Sequence, residues 1–297
     1  MAASPARAKK AATSWSPGRL RALIAATTQA APTAASITFV AKSDIGPTLR
    51  AFTGHVRLSP KRGGKLRAMD VAVIGGTGEE GFGLTLRLAR AGHHVTIGSR
   101  SADKGGAAAA EARSILGADA MVDGTTNEEA AASSEVMAVT VPFAGQAEIY
   151  RSIKPAVSAG AIVLDATSPL ATAVGGKAWQ VVHPWHGSAA EQADVILSQG
   201  VRMVAAFHTI AGHALRDLER PLESDVLVCG DDAEAKAVVG SLVADIPNLR
   251  WVDCGALSMA RIAETMTALL VSVNRTYKVK EAGFRITGRD VWGEAKR

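Results

Sequence analysis

Short, predominantly apolar runs alternate with longer segments of helical period along most of the chain, and the alternation begins abruptly at residue 71. Residues 71–74, 94–97, 120–122, 136–141, 161–165, 201–207, 225–230 and 251–254 are mostly small, β-branched or otherwise apolar, with His94, Asp165, Arg202, Asp225 and Asp253 as polar exceptions, as strands largely covered on both faces require. Between them, residues 84–91, 104–116, 127–132, 144–153, 188–197, 231–246 and 258–274 have helical spacing or composition. Strands alternating with helices predict an α/β fold, a Rossmann-type doubly wound parallel sheet followed by a small C-terminal α/β subdomain. The expected division is 1–68 as an extraneous leader, 69–210 as a dinucleotide-binding domain and 211–297 as the small subdomain.

The first strand leads without a break into Gly76-Thr77-Gly78-Glu79-Glu80-Gly81, which fits G-x-G-x-x-G. Glycine-rich turns are common, and the match gains weight because a helix and a second strand follow it within a unit of about 30 residues. Gly76 is expected to make the sharp turn, Gly78 to let a pyrophosphate approach the backbone, and Gly81 to let helix and strand pack closely. The phosphates would then meet the free N–H groups and the positive dipole end of the helix. Glu79 and Glu80 are expected to point outward, since a carboxylate facing the pyrophosphate would repel it.

At the end of the second strand, an enzyme using NAD carries an acid that accepts the ribose 2′-OH. Here Ser99 and Arg100 stand in that place, with Lys104 shortly after. A hydroxyl, a planar guanidinium and an ammonium suit a 2′-phosphate, so the expected cofactor is NADP(H). A solvated basic loop has the same composition; the position, about 20 residues past the glycines, favours the cofactor.

Ligands of such sheets gather beyond the C-terminal ends of the strands. Val141, Pro142 and Phe143 are therefore candidates to flank the cofactor, although Pro142 after a strand also simply ends pairing. Ser168, Pro169 and Leu170 fall at the mouth of the same crevice, as do His208 and Ile210 after the strand 201–207. Residues 171–186 have no period and are expected to form a flap over the cleft. His183 and His186 are three apart, but Pro184 breaks the helix that would align them and no third ligand is evident, so no metal site is expected. The helix 258–274 carries Ile262, Met266, Leu269, Leu270 and Val273 in a stripe broad enough for a core or a subunit interface.

Charge changes the picture only at the N-terminus. Residues 1–68 hold twelve Lys and Arg against one acid, Asp44, whereas the remaining 229 residues carry 21 basic and 27 acidic side chains. The net charge of +5 thus belongs to the leader, and the folded part gives no case for nucleic-acid binding. The leader resembles a transit peptide in composition, but Met69 stands two residues before the first strand and is expected to be the biological start. No stretch approaches 18 uninterrupted apolar residues, so no membrane span is expected. The two cysteines, Cys229 and Cys254, lie in no C-x-x-C and suit a reducing cytoplasm as small core residues.

Ile74-Gly75-Gly76-Thr77-Gly78, Gly98-Ser99-Arg100, Ser168-Pro169-Leu170, Phe207-His208-Thr209-Ile210, Val228-Cys229-Gly230-Asp231-Asp232 and Asp253-Cys254-Gly255-Ala256-Leu257-Ser258 occur in one order. Together, from Met69 to about Asn274, they resemble the NADPH-dependent coenzyme F420 reductases, or F420:NADP oxidoreductases. The resemblance implies hydride transfer between NADP(H) and the deazaflavin coenzyme F420 in a homodimer. It implies that Thr77, Ser99, Arg100 and Lys104 hold NADP(H), while Ser168, Pro169, Leu170 and His208 border the deazaflavin. The sequence departs from the family in its leader, in Glu79-Glu80, in residues 175–186 and in Ala211-Gly212, where Pro-Ala is more usual. Such chemistry needs the two rings stacked at ~3–3.5 Å and no covalent nucleophile. His208 is then a polar anchor and proton relay. Two other functions suit a Rossmann chain: an NADP-dependent reductase of a small carbonyl or imine, and a non-catalytic NADPH sensor whose partner surface is the apolar helix.

Overall fold

The protein, a computed structural model, is described over residues 68–198 and 200–288, so the expected leader and its start at Met69 concern a segment that lies, but for Ala68, outside the described residues. From Asp70 the chain forms β1 (Asp70–Ile74), α1 (Glu79–Ala91), β2 (His94–Ser99), α2 (Ala102–Leu116), β3 (Val122–Thr126), α3 (Asn127–Ser133), β4 (Val136–Val139), α4 (Phe143–Ile153) and β5 (Ile162–Asp165). It continues through α5 (Ala189–Leu197), β6 (Arg202–Ala205), α6 (Gly212–Arg216), β7 (Ser224–Gly230), α7 (Ala233–Ala244), β8 (Leu249–Asp253) and α8 (Ala260–Tyr277).

The strands form one sheet in the order β3-β2-β1-β4-β5-β6-β7-β8. β1 to β6 run parallel, β7 is antiparallel to β6, and β8 is parallel to β7. The first six strands thus have the 3-2-1-4-5-6 order of the Rossmann fold, with the switch point between β1 and β4. Beyond the expected division at residue 210, the chain adds β7 and β8 to the same sheet, Val204 pairing with Gly230 and Ala205 with Cys229.

Alternation along β1 explains why its apolar run is continuous. Val71 and Val73 pack with Leu84, Leu88, Leu164 and Phe207 on one face. Ala72 and Ile74 pack with Met137, Val139, Tyr150 and Ile153 on the other.

α6 is a five-residue helix that holds the end of the β6 segment against α1. The contact is backbone to backbone: a Cβ on Gly83 would lie 2.6 Å from Leu215 Cβ, and one on Gly212 would lie 2.9 Å from Glu80 N. Gly212 is thus required by its neighbour at the place where the chain departs from the family pattern. The buried guanidinium of Arg87 donates to the carbonyls of Leu215 (2.9 Å), Ala214 (3.0 Å), Arg220 (3.1 Å) and Asp217, satisfying the open end of that helix.

α8 turns a different face inward than its apolar stripe suggests. Ala260, Ala263, Glu264, Ala268 and Leu270 are buried, while Ile262 and Leu269 are 56% and 55% exposed. After α8 the chain does not trail away. Asp225 N donates to Phe284 O at 2.8 Å, and the buried Asp225 carboxylate receives Arg250, Arg285 and Ile286 N, which holds it below the usual carboxylate range despite burial.

Candidate active site

The ends of β1, β2, β4, β5 and β6 open on one edge of the sheet, and every site residue expected from the sequence lies in or just beyond those ends. After Ile74 the chain reverses at Gly75, whose φ of 73° is the left-handed value that glycine tolerates. The sharp turn therefore belongs to Gly75, one residue before the Gly76 expected. What Gly76 contributes is room, since a Cβ there would lie 2.8 Å from Val73 O. Gly75 N donates to Asn127 Oδ1 at 3.1 Å, Gly76 N to Gly98 O at 3.0 Å and Gly78 N to Gly75 O at 3.0 Å. Gly78 is the N-cap of α1, and a Cβ on Gly81 would collide with Thr140 Oγ1 and lie 2.8 Å from Gly76 Cα. Exposed Thr77 and Gly78 thus precede a helix start whose opening N–H groups have no intrahelical acceptor.

Of the two turn carboxyls, Glu79 is exposed as expected and Glu80 is not. Glu80 folds inward, with its Oε1 covered and without a hydrogen-bond partner among the described residues. Burial first and the Asp165 charge second push its pKa up to about 8. At neutral pH it is largely a neutral acid, which removes the expected repulsion toward a phosphate.

Ser99 closes β2 and is almost covered. Arg100 next to it and Lys104 in the first turn of α2 are exposed, and neither has an ion-pair partner among the described residues. β4 stops at Val139, two residues short of the expected Val141, and Thr140 hydroxyl donates to Ile74 O at 3.1 Å. Pro142 caps α4, between half-buried Val141 and Phe143.

Ser168, Thr267 and His208 are joined through hydroxyls. Thr267 Oγ1 donates to His208 O at 2.7 Å, so the 2.7 Å contact of Ser168 Oγ with Thr267 Oγ1 uses the Ser168 proton. Pro169 is buried, and Leu170 is half-buried and bridges to Val181. β6 is followed by Phe207, buried at φ 70°, a rare value for a bulky residue, and His208 stands directly after it. His208 is 6% exposed and neither ring nitrogen has a partner among the described residues. Burial pulls its pKa down to about 3, so the imidazole is neutral. Ile210 is buried nearby, its N–H donating to Phe207 O at 3.0 Å.

Beneath His208 lies a group of side chains absent from the sequence expectations. Asp165, His208 and Glu264 are all buried and each brings one N or O atom within 4.8 Å of the others. Asp165 accepts from Tyr150 Oη (2.6 Å), Gln146 Nε2 (3.0 Å) and Thr167 N (2.9 Å). Glu264 accepts from Ala189 N (2.8 Å) and Ala190 N (3.0 Å) at the start of α5. Burial raises Asp165 to about 6 and Glu264 to about 8, and it pushes the Tyr150 phenol up. The available signals were faint: Asp165 is an acid closing an apolar strand, and Glu264 is the one acid between residues 258 and 274.

The 171–186 segment begins with a 3-10 turn at Ala171–Val174, and Trp179 is held between Lys177 (5.3 Å) and Arg275 of α8 (4.1 Å). His183 and His186 are exposed.

Residues 70–169 match the family described as NADP oxidoreductase, coenzyme F420-dependent. The chain is 43% identical over 225 residues to the F420-dependent NADP reductase of Methanothermobacter thermautotrophicus, a match covering 75% of this chain and 97% of that protein. It is 39% identical over 226 residues to the F420-dependent NADP reductase of Methanocaldococcus jannaschii, covering 75% of this chain and 100% of that one. Among solved structures, a candidate F420-dependent NADP reductase from Arthrobacter sp. FB24 superposes with a TM-score of 0.60 at 25% identity, covering 74% of this chain and all of that one.

Proposed function

The chain belongs to the coenzyme F420-dependent NADP reductases, and from that membership we propose how its residues share the reaction. The enzyme transfers a hydride between NADP(H) and the deazaflavin coenzyme F420. Gly76, Thr77, Gly78 and Gly81 form the pyrophosphate cradle, which the free first turn of α1 and the neutral Glu80 support. Ser99, Arg100 and Lys104 take the 2′-phosphate. Val141, Pro142 and Phe143 flank the nicotinamide ribose, and Ser168, Pro169, Leu170, His208 and Ile210 border the deazaflavin. His208 anchors and relays as a neutral imidazole, able to donate through one nitrogen and accept through the other.

In this division of labour residues 69–210 bind NADP(H), and residues 211–297 supply α8 for a homodimer. No helix among the described residues is long and apolar enough to cross a membrane. The unpaired thiols of Cys229 and Cys254 support a cytoplasmic setting.

The observation that carries the cofactor reading is a pair of exposed cations without ion-pair partners among the described residues, Arg100 just after β2, where an acid would select NAD, and Lys104 in the first turn of α2. Rapid mixing of the full chain with oxidised F420 and either NADPH or NADH tests it. NADPH is expected to bleach the deazaflavin far faster than NADH. Arg100→Ala is expected to lower kcat/KM for NADPH roughly 10–100-fold, the worth of one charge-assisted hydrogen bond, with NADH use unchanged. Equal use of the two cofactors by the wild type would overturn the assignment.

A further inference from the structure

The carboxyls beneath His208 present a charge problem. Asp165 from β5 and Glu264 from α8 lie within 4.8 Å of each other and of His208, and Glu80 from α1, its Oε1 covered, feels the Asp165 charge as Glu264 does. The other titratable groups facing them are Tyr150 from α4, Cys229 from β7 and Glu191 from α5. Glu191 is bound at its outer side by Arg261 (2.6 Å), and no lysine or arginine among the described residues donates to Glu80, Asp165 or Glu264. Three carboxylates without a counter-cation cannot all stay ionised in so covered a place, and the group must retain protons. Three covered atoms in it lack hydrogen-bond partners: Glu80 Oε1 and both ring nitrogens of His208.

We propose that Glu80, Asp165 and Glu264 form a buried proton store that supplies or accepts the single proton accompanying each hydride, with His208 carrying it between the store and the deazaflavin. The proposal rests on the hydride-transfer reading above and extends it to carboxyls behind the ring site. In the direction of F420 reduction, the C4–H bond of the nicotinamide breaks and a C5–H bond forms on the deazaflavin, so two electrons pass from NADPH to that ring. His208 gives its N–H proton to the ring nitrogen that gains electron density. At its other nitrogen it takes the proton that Glu264 releases, relayed across the gap of at most 4.8 Å by one bridging water, and solvent later restores that proton. The imidazole changes tautomer without forming an imidazolium, the state its burial disfavours. In the opposite direction the ionised carboxyl is the acceptor.

Two measurements on the full-length protein test the store. In a single turnover, enzyme loaded with NADPH is mixed with F420 in weak buffer containing a pH-indicator dye. Deazaflavin bleaching is expected to precede proton uptake from the medium severalfold. In Glu264→Gln bleaching slows at least about tenfold and coincides with uptake. Separately, the ligand-free wild type at pH 7 is expected to show an infrared carboxylic C=O band that shifts in D2O and loses intensity in Glu264→Gln. Should that variant fail to fold, the wild-type dye trace and band still decide. Bleaching and uptake at one rate in the wild type, or no carboxylic band at pH 7, would overturn the store. Tight NADPH binding without any bleaching would instead overturn the hydride-transfer reading, and the infrared band would then judge the store alone.

Discussion

Glu264 shows how one side chain can serve an element other than its own. It sits on α8, binds the first N–H groups of α5, and its environment raises its pKa to about 8 from an ordinary 4.5. Between those values the folded chain keeps a proton that the unfolded chain has already lost. The stability due to that proton is complete below 4.5, declines as pH rises and is gone above about 8. His208 acts with the opposite sign, since its pKa falls from 6.5 to about 3, and its contribution is complete above 6.5. From pH 6.5 to 8, then, Glu264 is not offset by His208, and Glu80 acts in the same direction. Urea unfolding across that window is expected to lose about 1.4 kcal/mol per pH unit for Glu264, and the slope should shrink by about that amount in Glu264→Gln. Identical slopes in the two proteins would show that Glu264 is ionised in the fold.

At the scale of elements, close backbone approach sets the position of α6 on α1. Gly83→Ala would gain roughly 1 kcal/mol of helix propensity and would place a methyl 2.6 Å from Leu215 Cβ and 2.9 Å from Arg216 N. Because Arg216 N is backbone, the overpacking cost of about 1–3 kcal/mol should prevail, and the denaturation midpoint should fall. An unchanged midpoint would mean that α6 yields freely. The strands buried on both faces were legible because their runs are predominantly apolar, with polar residues such as Asp165, Arg202 and Asp225 at or near the strand ends. β3 was not: expected at residues 120–122, it runs from Val122 to Thr126, and as an edge strand it tolerates Asp123, Thr125 and Thr126, which break the apolar pattern. The α1 start at Glu79 was hidden inside the glycine turn, and the five residues of α6 are too few to show a period. The glycine turn and the strand-end residues could be found from local spacing. Glu80, Asp165 and Glu264 could not, since they come from α1, β5 and α8 and only the fold brings them together.

At the scale of the whole molecule, the sheet leaves α8 with more apolar surface than the described chain covers. Its inner face is small, with Ala260, Ala263 and Ala268 packed down around Glu264. Leu270 is also turned inward, but Ile262 and Leu269 lie on the other side, seven residues apart and hence two turns along one stripe, with Met266 half-buried between them. A helix that leaves Ile262 and Leu269 outward gains more from a second apolar surface than from solvent, at about 25 cal/mol for each Å2 covered. The same stripe on a second copy of the chain is such a surface, and a two-fold axis across α8 would bury both stripes together. Sedimentation of the wild type is therefore expected to give twice the chain mass, and Ile262→Glu with Leu269→Glu should give the chain mass with the far-ultraviolet dichroism of the fold retained. A wild type that sediments as a monomer, or a double variant that remains dimeric, would move the interface off α8.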